Sequence, residues 1–135
     1  YHLDSSNLII GGSSRGTVLS WVYAHRPNPN IKGLYMYNAL PKGTWSQPTI
    51  WLPTNNVTEA SPPIYFVYKR EPGCSTDPIN PDIHDPNYGL MIVDQYEDLG
   101  IENSTTLVHS IGQTNNTDRY QFFLDFALSV IEPCN

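Results

Sequence analysis

The sequence predicts an all-β domain, an antiparallel β-sandwich or jelly-roll-like fold of about eight strands. A small β-barrel is the alternative. Two observations lead to this prediction: short apolar stretches alternate with turn signals along the chain, and proline (12) and tyrosine (9) are abundant. No segment shows a convincing amphipathic helical pattern. The length of 135 residues suits one domain, so we interpret residues 1–135 as a single extracellular β domain.

The C-terminal residues 120–134 carry the clearest strand pattern. Every second residue from 120 to 130 is apolar, which is the period of a strand with one buried face. A helix is the competing interpretation, because five apolar residues also fit helical spacing, namely Phe122, Phe123, Phe126, Ala127 and Val130. The aromatic content and Pro133 at the end of the run favour the strand.

The other predicted strands precede this one in the chain. They are residues 3–10, 17–23, 31–38, 49–52, 64–69, 89–96 and 105–111. The first strand is followed by Gly-Gly-Ser-Ser at 11–14, which is a turn signature. The third and sixth are apolar on both sides, so we expect them to be covered on both faces. Residues 70–88 contain four prolines, which argues against regular structure there.

The charge balance excludes two classes of partner. Charged residues make up 15% of the chain, against roughly 25% in an ordinary soluble domain. A net charge of −6 argues against nucleic acid and against an anionic membrane surface, because both are bound by clustered Lys and Arg. No apolar run is long enough for a transmembrane helix. The chain starts at Tyr1 without Met or a signal peptide, so we expect a mature or excised ectodomain.

Cysteines and sequons indicate an extracellular compartment. Cys74 and Cys134 are the two cysteines and allow one intrachain disulfide. N-glycosylation sequons begin at Asn56, Asn103 and Asn115. Together with the low lysine content, these features predict a secreted glycoprotein that is stabilised by one disulfide.

Residues with catalytic or metal-binding potential form no recognisable constellation. The four histidines are His2, His25, His84 and His109, and none lies in a known catalytic or metal-binding motif. A cluster of Asp77, Asp82, His84 and Asp85 offers oxygen and nitrogen ligands for a cation. Its spacing matches no known metal motif, so we favour a solvated acidic loop. The sequence therefore predicts no catalytic residue, no metal and no cofactor, although a scattered Ser, Asp and His triad remains open.

Aromatic and amide side chains around residues 39–48 are the best candidate binding site. Trp45 lies in a loop with Pro41 and Gly43, where no strand is predicted to bury it. An exposed Trp beside hydrogen-bonding groups suits stacking on a sugar ring or anchoring a protein interface. The predicted ligand-binding residues are Trp45, Tyr35, Tyr37, Asn38 and Gln47. Packing of the same Trp over the edge of the fold is the alternative.

These observations favour a binding function over catalysis. We expect a lectin-like or host-interaction module that binds a glycan or a cell-surface protein, in an oligomeric state that the sequence does not specify. One alternative is a small extracellular hydrolase whose catalytic residues are scattered in sequence. Another is a barrel that carries an apolar ligand.

Overall fold

A computed structural model describes residues 5–26, 30–39, 57–69, 84–102, 104–108 and 116–131. Strands and helices alternate along the chain. In order they are β1 (Leu8–Ser13), α1 (Arg15–Ala24), β2 (Ile31–Tyr37), β3 (Ile64–Tyr68), α2 (Pro86–Asp98), β4 (Thr105–Val108) and α3 (Asn116–Val130). The fold is therefore mixed α/β.

The described strands form one parallel sheet in the order β1-β2-β3-β4. β1 pairs with β2, β2 with β3 and β3 with β4, each in parallel. Parallel neighbours need a crossover connection, which a helix usually provides. The prediction of an antiparallel β-sandwich, and of a barrel as its alternative, is wrong for this reason.

Three of the predicted strands are helices. Residues 17–23 lie in α1, residues 89–96 lie in α2, and most of residues 120–134 lie in α3. In α2 the buried side chains follow the spacing i, i+3, i+4, i+7 at Gly89, Ile92, Val93 and Tyr96, which is the inner face of a helix. The helix starts at Pro86, whose missing N–H costs nothing in the first turn.

The predictions for β2, β3 and β4 are confirmed as strands. Residues 31–38 and 64–69 contain β2 and β3, whose side chains are mostly buried on both faces. Residues 105–111 contain β4, which ends at Val108. The predicted strand 49–52 lies outside the described residues. The predicted turn at 11–14 is mostly strand instead, because β1 continues to Ser13.

Helices pack on both faces of the sheet. On one face, Leu34 and Phe66 belong to a core cluster with Trp21 of α1 and Tyr96 of α2. α3 covers the other face, where the ring of its Phe126 would lie 2.9 Å from a Cβ added at Gly33. Alternate side chains of β2 thus face different helices. None of the described helices has both the length and the hydropathy needed to cross a lipid bilayer.

Candidate active site

The connection between β1 and α1 contains a single residue, Ser14. Its backbone dihedrals are φ 50° and ψ −117°, a conformation that L-residues adopt rarely and at a cost of about 1–3 kcal/mol. Both backbone groups of Ser14 are held by neighbours: its N–H donates to the Tyr37 carbonyl at 2.9 Å, and its carbonyl accepts the Thr17 N–H at 3.0 Å. The Thr17 hydroxyl donates to the same carbonyl. The fold therefore imposes this sharp strand-to-helix turn.

The Ser14 hydroxyl has no role in capping α1. Serine is a preferred N-cap residue because its oxygen usually accepts an N–H of the first turn. Within the described part of the chain, Ser14 occupies the N-cap position without such a hydrogen bond. A strained serine that does not cap its helix has a hydroxyl available for chemistry.

Close packing of β1 against α1 explains the glycine before the turn. A Cβ added at Gly12 would lie 2.4 Å from the carbonyl carbon of Gly16 and 2.7 Å from the Thr17 nitrogen. These are backbone atoms, which cannot move aside cheaply. The local sequence, Gly12-Ser13-Ser14-Arg15-Gly16, has the Gly-x-Ser-x-Gly pattern of a nucleophile elbow, and it stands between a strand and a helix as that motif requires.

Electrostatics at this turn favour a developing negative charge. In a nucleophile elbow, the N–H of the residue after the serine forms part of the oxyanion hole. That residue here is Arg15, the first residue of α1. The N–H groups of a first helical turn have no intrahelical acceptor and carry the positive end of the helix dipole. They therefore suit an oxyanion beside Ser14.

The ends of β2 and β3 form the rest of this edge of the sheet. Ligands of open parallel sheets bind at the carboxyl ends of the strands. Asn38, directly after β2, has φ 45°, and its N–H donates to the Val67 carbonyl at 2.8 Å. Its side-chain oxygen accepts the Lys69 N–H at 3.2 Å. A second non-glycine residue with positive φ thus lies at the same edge as Ser14.

Candidate partners for Ser14 are ordered along the chain as in hydrolases that use this elbow, namely serine, acid, histidine. His109 directly follows Val108, the last residue of β4. The connection from β3 to α2 contains Glu71, Asp77 and Asp82. These four residues lie outside the described part of the chain. Asp85 is engaged elsewhere, because its carboxylate accepts the Asn87 N–H at 2.9 Å and caps α2.

The structure separates the aromatic residues of the predicted ligand site. Tyr35 faces α3, with its ring centroid 5.8 Å from that of Tyr65 and 5.4 Å from that of Phe123, so it is a packing residue. Tyr37 and Asn38 lie instead at the carboxyl edge near Ser14. Trp45 and Gln47 lie outside the described residues.

The predicted covalent modifications also fall on residues that the structure does not describe. They are the disulfide of Cys74 and Cys134 and the glycosylation of Asn56, Asn103 and Asn115, and all remain predictions. Of the acidic cluster, His84 and Asp85 are described. The described residues contain no group of three or more potential metal ligands.

Sequence reasoning missed Ser14, although a signal was present. The Gly-x-Ser-x-Gly pattern follows the apolar run Leu8-Ile9-Ile10 directly, as a strand followed by an elbow would. The same residues also indicate a turn between strands, because glycine and serine are common in turns. A helix at residues 15–24 was the context needed to recognise it.

Comparisons with known proteins bear on the fold. No protein-family model and no curated protein matches the sequence. Similar solved structures include a proposed carboxylesterase from Lactobacillus plantarum WCFS1, with a TM-score of 0.56 and 16% identity, and MGS-M1, an α/β hydrolase from a Medee basin deep-sea metagenome library, with a TM-score of 0.60 and 13% identity.

The likeness covers almost all of this chain but only part of the other proteins. It includes 94% of this chain and 60% of the first structure, and 95% of this chain and 56% of the second. At such identities it shows the fold alone, a parallel sheet with helices on both faces that this chain shares with the α/β hydrolase MGS-M1. The predictions of a β-sandwich and of a lectin-like glycan-binding module are wrong, and the hydrolase alternative is favoured.

Proposed function

We propose that this chain carries the catalytic residues of a serine hydrolase that cleaves carboxylic esters. The observation that carries the proposal is Ser14 itself: a serine between β1 and α1, held at φ 50° and ψ −117°, whose hydroxyl does not cap the helix among the described residues. Strained non-glycine residues cluster at functional sites, because the strain is tolerated where the side chain is needed.

The reaction follows from the chemistry of an activated serine. The Ser14 oxygen attacks the ester carbonyl while His109 accepts the hydroxyl proton, and the Arg15 N–H stabilises the resulting oxyanion. His109 then protonates the leaving alcohol, which departs and leaves an acyl group on Ser14. Water attacks this acyl group, its proton passes to His109, and the carboxylic acid leaves as Ser14 regains its proton.

The candidate acids that would orient His109 lie, in sequence, between β3 and α2. Glu71, Asp77 and Asp82 are the candidates, because they follow the serine and precede the histidine as in α/β hydrolases. Such an acid fixes the histidine tautomer and stabilises the imidazolium that forms. Asp85 is not a candidate, since its carboxylate caps α2.

The choice of esters as substrates draws on the similar carboxylesterase fold and on the Gly-x-Ser-x-Gly pattern, which esterases and lipases share. Because fold does not determine function, the decisive experiment addresses Ser14. The purified chain is treated with a fluorophosphonate, which phosphonylates activated serines as fluoride leaves. We expect one labelled peptide, containing Ser14, and hydrolysis of 4-nitrophenyl butyrate.

A neighbouring serine provides the matched control. Ser14→Ala should abolish labelling and lower ester turnover by several orders of magnitude, as loss of a nucleophile does. Ser13→Ala changes the exposed preceding serine and should retain both. Labelling that persists in Ser14→Ala, or an unlabelled folded wild type, contradicts the proposal.

Variants of His109 and of the candidate acids test the catalytic roles proposed for them. His109→Ala should reduce turnover by about 10⁴-fold or more, whereas His84→Ala should not. One of the variants Glu71→Gln, Asp77→Asn and Asp82→Asn should have its ester turnover reduced by about 10⁴-fold, because an amide in place of the acid disturbs the histidine tautomer. Full activity in all three would place the acid elsewhere.

A further inference from the structure

We propose that the esters hydrolysed at this site carry a carboxylate on the acyl chain, and that Lys69 and Arg15 bind it. This inference rests on the proposed function of Ser14. It adds a substrate class, half-esters of short dicarboxylic acids, that neither the fold nor the catalytic residues imply.

Lys69 is fixed at the carboxyl edge of the sheet. It is the first residue after β3 and is exposed. Its N–H donates to the side-chain oxygen of Asn38 at 3.2 Å, and Asn38 adopts φ 45°, a conformation that asparagine tolerates better than most residues. The backbone that carries the lysine is thereby anchored to the end of β2.

The Lys69 side chain extends from β3 toward the strand of the nucleophile. Its Nζ lies 5.3 Å from the centroid of the Tyr37 ring on β2. Tyr37 pairs with Ser13, and its carbonyl accepts the Ser14 N–H at 2.9 Å. Because adjacent strands are about 4.8 Å apart, the ammonium group lies near the strand that neighbours Ser14.

The Lys69 charge is not neutralised within the described part of the chain. The contact with Tyr37 is a cation–π interaction, which leaves the positive charge in place. No carboxylate of the described residues forms an ion pair with Lys69. An exposed ammonium group held by an aromatic ring can accept an anionic ligand.

Arg15 adds a second cation directly after Ser14. Its side chain is exposed, and the first turn of α1 contains no acidic residue. A basic residue at a helix N-terminus opposes the helix dipole and weakens the helix. Positive charge at this edge also contrasts with the net charge of −6 on the whole chain.

These positions define the length of the acyl chain. With the ester carbonyl at Ser14, at the end of β1, and the carboxylate at the ammonium group that lies over Tyr37 of the adjacent β2, the two groups are separated by about one strand spacing. A chain of about three methylene groups spans such a distance. The predicted acyl group is thus a glutarate-like half-ester.

Two esters of equal length and identical leaving group test the inference. 4-Nitrophenyl hemiglutarate carries a carboxylate where 4-nitrophenyl pentanoate carries a methyl group. We expect the wild type to have the higher kcat/KM with the hemiglutarate, and 0.5 M NaCl to reduce this preference because salt screens exposed charges.

Charge variants locate the effect. Lys69→Gln should reduce the ratio of the two kcat/KM values by about tenfold, mainly through KM, as loss of one near-surface charge pair allows. Lys69→Arg should retain most of the wild-type ratio, because it keeps the positive charge. Arg15→Gln should lower the ratio, as Lys69→Gln does. Arg26→Gln makes the same change in net charge beyond the other end of α1 and should leave the ratio unchanged.

Each outcome separates this inference from the proposed function. Hydrolysis of both esters with a ratio that Lys69→Gln does not change overturns the carboxylate site and leaves the hydrolase intact. An equal loss in Lys69→Gln and Arg26→Gln also overturns it, since the effect would then come from overall charge. Hydrolysis of neither ester, without fluorophosphonate labelling of Ser14, overturns the proposed function.

Discussion

Ser14 holds a backbone conformation that glycine would adopt at lower cost. At φ 50° and ψ −117° an L-residue is strained, because its Cβ crowds the backbone. Within the described residues, the Ser14 hydroxyl does not offset this strain by capping the helix. For the stability of this turn alone, glycine would be more favourable than serine. Local rules fail in natural proteins mainly at functional sites, so the strain at Ser14 and its proposed catalytic role support each other.

Gly12 and Gly16 occupy equivalent places in the motif but different surroundings. An added Cβ at Gly12 would meet backbone atoms of Gly16 at 2.4 and 2.5 Å, whereas one at Gly16 would have no described heavy atom within 4 Å. We expect Gly12→Ala to lower the free energy of unfolding by about 1–3 kcal/mol, because β1 and α1 must separate.

Gly16→Ala serves as the matched control for this prediction. It should leave the free energy of unfolding unchanged or raise it by up to about 1 kcal/mol, because alanine is the better helix former. Urea denaturation of the two variants measures both values. Equal destabilisation by both substitutions would contradict the close packing of β1 on α1 at Gly12.

Helices were harder to predict from the sequence than strands, because their exposed faces carry apolar residues. Leu19 of α1 is 75% exposed, and Tyr120 and Leu128 of α3 are 71% and 77% exposed. In α3 these exposed residues, together with Leu124, supplied half of the alternating pattern that predicted a strand. The inner face is helical in spacing, with Phe126 and Ala127 buried. The sequence contains both periods, and only the tertiary contacts select one.

A half-buried histidine, His25, links the end of α1 to α2. The Nδ1 of His25 lies 2.8 Å from the Trp21 carbonyl, which can only accept, so this nitrogen carries the proton. Its Nε2 lies 2.8 Å from the Tyr96 hydroxyl and therefore accepts from it when the ring is neutral. Burial lowers the pKa of His25, although the Trp21 carbonyl opposes this. Burial also raises the pKa of Tyr96, so its hydroxyl remains a donor.

Protonation of His25 should destabilise the fold. In the unfolded chain the ring titrates near pH 6.5, and in the folded chain its pKa is lower. Below about pH 6.5 the unfolded state thus binds more protons, and the free energy of unfolding falls as the pH drops through the folded pKa. Above pH 6.5 both states are neutral and this dependence vanishes.

Denaturation of the wild type and of His25→Gln between pH 7.5 and pH 5 measures the effect. The difference in the free energy of unfolding between the two proteins should shrink as the pH falls, since glutamine does not titrate. Contributions from the other titrating groups cancel in this difference. A difference that is independent of pH would show that His25 is not buried in its neutral form.

At the scale of the whole molecule, composition pointed to the wrong fold class, while one segment carried the signal of the right one. Residues 31–38 were expected to be covered on both faces, and β2 is indeed buried on both. Strands covered on both faces are typical of parallel sheets with helices on each side. The abundance of proline and tyrosine does not distinguish a β-sandwich from such a fold, because it reflects loops and packing in either. Of the candidate site, sequence reasoning found Tyr37 and Asn38 for another function and missed Ser14.

The remaining prediction at this scale is the disulfide between Cys74 and Cys134. The two cysteines allow a single intrachain pairing, and three sequons together with few lysines suit an oxidising compartment. The bridge would close a loop of roughly 60 residues and stabilise the fold by about 4 kcal/mol.

In sequence, Cys74 lies between β3 and α2, in the connection that holds the candidate acids, and Cys134 follows α3. Reduction should therefore lower both the melting temperature and the ester turnover. Intact mass under non-reducing conditions should be two hydrogens below that of the reduced protein, and Cys74→Ser with Cys134→Ser should match the reduced protein in stability. Two free thiols in freshly secreted protein would contradict the disulfide, and with it the extracellular location that the sequence predicts.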